Sequence, residues 1–202
     1  MYRDEWLYFK RDYRKAFVWV LIVSMIVFFI MLWGAEQLFR SNPENVMQFL
    51  QDRLGVDSPQ MVDSGFTHIF LHNLRAAVSS FLLGLIPIVI LPAFTTVATI
   101  ASISFVIPFA QSLGVSAWKI IVYGILPHGL LEIPAFALAS AIGIYMSLSI
   151  IRQLFNKRKL NRPLLQVMKQ CLRSFILVVF PLILIAAVIE AFVTSAILHN
   201  FT

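Results

Sequence analysis

The chain has 202 residues, of which 59% are hydrophobic and 13% charged, with a formal net charge of +6 and a mean hydropathy of +0.84. Ordinary soluble domains carry roughly 25% charged residues, so a soluble domain is excluded, and there is room for about five membrane-spanning helices of about 20 residues each. The single cysteine, Cys171, excludes an intramolecular disulfide and a thiolate metal cluster and reads as a core or interface residue.

Residues 1–15 form a charged, aromatic tail. The apolar stretch after them is too long for a signal-peptide core and lacks a small-x-small cleavage site, so residues 16–34 read as an uncleaved first span. Residues 35–66 are polar. Ser41-Asn42-Pro43-Glu44 has the form of a helix start, and Val46, Phe49, Leu50 and Leu54 recur at helical spacing, which predicts an external amphipathic segment. A second span is expected over 67–91, carrying His68, His72, Asn73 and Arg75 near its start. No residue from Ala76 to Ala117 is charged, too long a run for one crossing, so Pro92 is read as the turn into a third span over 93–112.

The run Ile125-Leu126-Pro127-His128-Gly129-Leu130-Leu131-Glu132-Ile133-Pro134 places two prolines, a histidine and a carboxylate inside an apolar stretch. Carboxylates in hydrocarbon cost kilocalories, and a proline frees a backbone carbonyl, so both need partners from neighbouring helices or a polar cavity. The Pro-His-Gly step predicts a half-helix or re-entrant segment over 117–127, followed by a fourth span over 129–151. Small residues at Ala135, Ala137, Ala139, Ser140, Ala141, Gly143 and Ser147 would let that span approach its neighbours closely, as would Ser79, Ser80 and Gly84 in the second.

Residues 152–173 hold Arg152, Lys157, Arg158, Lys159, Arg162, Lys169 and Arg173 without an acid, and a fifth span follows over 174–198. The positive-inside rule makes that loop cytoplasmic, with the basic N-terminal tail on the same side and the C-terminus outside. The positive charge is therefore a topology signal and not a nucleic-acid footprint. The same loop, chiefly Arg152, Lys157, Arg158, Lys159 and Arg162, could grip anionic lipid headgroups or an acidic partner.

Glu132, ionised against Arg75 or Lys119 or else protonated, would lock helix to helix. An ion or proton pathway is the competing reading. Glu190 is a second intramembrane carboxylate, nearer the outer end of its helix, where interfacial placement competes. His68 with His72, and His128 with Glu132, stand at i, i+4 spacing that suits zinc ligands; the plainer reading is interfacial polarity and backbone hydrogen bonding, and no metal or other cofactor is assigned. No nucleophile-base pair or phosphate loop appears, and a pairing of Ser79 or Ser140 with His128 is unconstrained, so no enzyme is expected.

The segments His72-Asn73-Leu74-Arg75 with Gly84 after it, Leu126 to Ala135 with its small-residue tail to Gly143, and Ile189-Glu190-Ala191-Phe192-Val193-Thr194 occur in the order seen in the stage II sporulation protein M family. The chain resembles that family over about residues 65–198. The resemblance implies an all-helical five-span bundle, a shared polar core of Asn73, Arg75, Pro127, His128, Gly129, Glu132, Pro134 and Glu190, and pairing of Arg75 with Glu132. It also implies a non-catalytic scaffold of a cell-envelope complex in a bacterial plasma membrane, working with other envelope proteins such as cell-wall hydrolases. The alternative is a permease-like subunit docked to a cytosolic ABC-type ATPase through residues 152–173. Homo-oligomerisation stays open.

Overall fold

The computed structural model describes residues 2–42, 46, 65–112, 114–155 and 163–199, with backbone only for the last two. Among the described residues every regular element is helical. Five helices form one bundle: α1 (Tyr2–Ser41), α2 (Phe66–Leu83), α3 (Leu91–Ser112), α4 (Ala117–Phe155) and α5 (Leu164–Ile197). All but α2 are long and apolar enough to cross a membrane. Helix α4 is central and touches the other four, whereas α1 is peripheral. Trp19, Ile26, Phe29, Ile30 and Trp33 of α1 are exposed, an apolar surface that only lipid or another apolar surface could cover.

The expected half-helix before the fourth span is not separate. The backbone is helical without a break from Ala117 to Phe155, and the disturbance is taken up as a π segment over Ile120–Ile125. Pro127 has no N–H, and its ring would collide with the carbonyl one turn earlier. Widening the preceding turn, so that the Leu126 N–H bonds Ile121 O five residues back, avoids a break. The same device recurs at Pro181, where Phe175–Val179 is a π segment and the Phe180 N–H bonds Phe175 O. At 39 residues, α4 is about 58 Å long, well beyond a hydrocarbon core of about 30 Å, so the span needs only part of it.

The second helix also differs from expectation, ending at Leu83 instead of near residue 91. Gly84, Leu85 and Ile86 tighten into bonds to carbonyls three residues back. Pro87 then disfavours helix at the residue before it and offers no donor of its own. The turn therefore lies at residues 84–90, and Pro92, expected to make it, is buried in the first turn of α3.

Close approach follows from small residues. A Cβ on Gly84 would lie 2.5 Å from Gly143 Cα, and one on Gly143 would lie 2.8 Å from Ser80 O and from Pro92 Cβ. Three hydroxyls seal this contact. Ser80 and Ser140 reach Pro92 O at 2.6 and 2.8 Å, Thr96 reaches Phe136 O at 3.0 Å, and Ser140 lies 2.9 Å from Ser80 and 2.7 Å from Thr96. The expectation for the small residues of α4 holds, since all seven are buried. Ser80 and Gly84 also behave as expected, while Ser79 is exposed.

Candidate functional site

Two polar clusters stand out at separate places in the bundle. The first joins α4 to α5. His128 and Glu132, one turn apart, share a face of α4, with Nε2 3.8 Å from Glu132 Oε2. Glu190 comes from the π segment Ile189–Thr194 of α5, and ligand-type atoms of His128, Glu132 and Glu190 all lie within 4.8 Å of one another. Thr194, buried and one turn after Glu190, places Oγ1 3.5 Å from His128 Nδ1. Asn73 of α2 borders Glu190; the amide is 6% exposed, and its Nδ2 closes no hydrogen bond, so the two groups lie close without forming a proper bond. Asn73 lies seven residues into α2, and Glu190 seven before the end of α5, so the cluster sits about 10 Å in from one end of both helices. Stacking of Phe66 on Phe192, with ring centres 6.3 Å apart, brings those two ends together.

The structure therefore rearranges the expected polar core. Arg75 is exposed and, among the described residues, makes no ion pair with Glu132; helical phase turns it away while Asn73, two residues earlier, is buried. The four candidate metal ligands do not converge. His68 and His72 are exposed on α2, and Glu190 takes the place they were expected to fill beside His128 and Glu132. Glu190 is half-buried and faces His128 and Glu132. Pro127 shapes the backbone, as described above. Gly129 is buried, but a Cβ there would meet only ordinary contacts with Ile125 and Ile133 at 3.6 and 3.8 Å. Pro134 lines a largely apolar cleft with Trp6, Phe17, Leu138 and Leu182. Neither serine considered for a dyad bonds His128: Ser79 is exposed and Ser140 belongs to the hydroxyl contact.

The second cluster was not anticipated. The N-terminal tail is helical and docks on the start of α5. Buried Glu5 receives the Ser174 hydroxyl at 2.6 Å and lies 2.9 Å from Arg173 Nε, an ion pair whose angle is not that of a hydrogen bond. Gln170 donates to Asp12 at 2.8 Å and to the Tyr13 hydroxyl at 3.1 Å, and Tyr13 lies 3.2 Å from the Ser174 hydroxyl. Arg173 also pairs with Asp4 at 3.3 Å. Beneath this latch Cys171 is fully buried, consistent with a core residue. The only sequence signal was the presence of three acids in a basic tail opposite an acid-free basic segment. Of the expected lipid or partner contacts, Arg152 is exposed, and Lys157, Arg158, Lys159 and Arg162 lie outside the described residues, as does most of the expected amphipathic segment.

A family model described as stage II sporulation protein M matches residues 15–195. No curated protein and no solved structure matches the chain.

Proposed function

Because the chain belongs to the stage II sporulation protein M family, a membrane-protein family, we propose that it is a non-catalytic integral membrane scaffold, an assembly subunit of a cell-envelope complex. It crosses a bacterial plasma membrane five times, four times through the long apolar helices α1, α3, α4 and α5 and once through the shorter, more polar α2 packed among them, with the N-terminus inside and the C-terminus outside. The observation that carries this reading is how the interior polar groups are used. Ser80, Thr96 and Ser140 fasten α2, α3 and α4 to one another, so they favour a rigid body over a conduit. Docking of the N-terminal tail on α5 supports placing the tail and the basic segment on one side, and positive-inside bias makes that side cytoplasmic. There Arg152 and its basic neighbours meet lipid headgroups or an acidic partner.

The permease-like alternative gains no support. Leu164–Ser174, the helix that would have to dock an ATPase, buries Val167, Gln170, Cys171 and Ser174 within this chain. The test of the scaffold reading is gentle purification from the native membrane, with mass spectrometry of what accompanies the protein. Envelope proteins such as cell-wall hydrolases in fixed ratio are the expected outcome; a chain recovered alone, or with an ATPase, overturns it.

A further inference from the structure

We propose that His128, Glu132 and Glu190 form a binding site for a first-row divalent transition-metal ion of the zinc type, tying α4 to α5. The site is independent of the scaffold role and would stand if that role failed.

The donor set comes first. One imidazole nitrogen and two carboxylate oxygens suit zinc and its neighbours; calcium asks for six to eight oxygens, and soft copper(I) for sulfur. Around zinc, at about 2.1 Å per bond, tetrahedral ligand atoms stand about 3.4 Å apart. The His128–Glu132 separation of 3.8 Å is close to that, and all three ligand atoms fall within 4.8 Å, so side-chain adjustments of about 1 Å would close the site. The i, i+4 spacing on α4 supplies two ligands from one rigid face, and α5 supplies the third.

The ring of His128 is also set for the task. Thr194 faces Nδ1, so a ring carrying its proton there keeps the Nε2 lone pair directed at Glu132 and any ion beside it. Charge gives the second argument. Two carboxylates this close inside a helix bundle repel unless something positive stands between them, and Arg75, the expected counter-charge, is elsewhere. A dication with two carboxylates and a neutral imidazole makes a site of zero net charge. The third argument is Asn73, a nearly fully buried amide that borders Glu190 and puts a donor at the edge of the site. A water on the metal, held by this amide, would complete the fourth position.

The competing account is that protons alone neutralise the two carboxylates. Full-length, tag-free protein in mild detergent, stripped with chelator and titrated with zinc, separates the two. The expected result is one zinc per chain, a nitrogen and oxygen coordination shell near 2.0–2.2 Å by X-ray absorption, and at least tenfold weaker binding in Glu190→Gln and in His128→Ala. His72→Ala, on the exposed face of α2, should bind as the wild type does. Glu190→Gln keeps the size of the side chain, and its elution as a monodisperse peak would show that a loss of zinc is not a loss of fold. Substoichiometric zinc in the wild type overturns the proposal, as does zinc that survives Glu190→Gln or disappears with His72→Ala.

Discussion

Ser140 of α4 lies within reach of a carbonyl and a hydroxyl from α3 and a hydroxyl from α2, and its worth can be measured directly. Losing the Ser140 hydroxyl removes one of the two donors to Pro92 O and the oxygen that stands between Ser80 and Thr96. Side-chain hydrogen bonds between membrane helices average about 0.6 kcal/mol and reach about 1.7. Ser140→Ala should therefore lower stability by about 1 kcal/mol in detergent unfolding, whereas Ser79→Ala, on the exposed face one position away from Ser80, should be neutral. Equal effects would mean that the hydroxyl contact contributes nothing. Tyr13 offers a second test at this scale because it packs against the lone cysteine. Tyr13→Ala opens the latch over Cys171, and maleimide labelling of native membranes, followed by mass, should run at least tenfold faster than in wild type. An unchanged rate would show that the tail does not shield α5.

Between elements, the two glycines at the α2–α4 crossing decide the packing. A methyl at Gly143 would meet Ser80 O and Pro92 Cβ at 2.8 Å, backbone and ring atoms that cannot swing aside. Gly143→Ala should lower stability by about 1–3 kcal/mol through overpacking. Gly34→Ala, with nothing within 4 Å, should cost nothing or gain up to about 1 kcal/mol from helix propensity. Thermal unfolding of both variants in one detergent makes the comparison, and a tolerant Gly143 would argue for a looser crossing. Small residues spaced along an apolar run were enough to anticipate that α4 packs closely. Which neighbour Gly143 meets was not legible, because close approach depends on the rotation of two helices about their axes. The π turns ahead of Pro127 and Pro181 were equally hidden. A proline signals a conflict with the helix, and only the surrounding packing decides between a break and a widened turn.

For the molecule as a whole, the arrangement makes a sidedness prediction. In a Cys171→Ala background, cysteines placed at Lys10 and Arg152 should react with an impermeant maleimide from the same side of the membrane, and one at His68 from the other. Labelling of Lys10 and His68 from one side would refute a single crossing by α1. Composition and charge alone determined that the chain lives in a membrane as an all-helical bundle, since hydrophobicity over about 20 residues and the bias of Lys and Arg are local quantities. They also marked His128, Glu132 and Glu190 individually, because each stands out against an apolar background. Only the tertiary structure decided that these three meet while Arg75, His68 and His72 stay outside, and that Glu5, Asp12 and Tyr13 reach Gln170, Arg173 and Ser174. Apart from His128 and Glu132, one turn apart on α4, the partners in those contacts are 58 to 169 positions apart in the chain. Their meeting depends on helix phase, helix length and which faces pack, none of which a local pattern records.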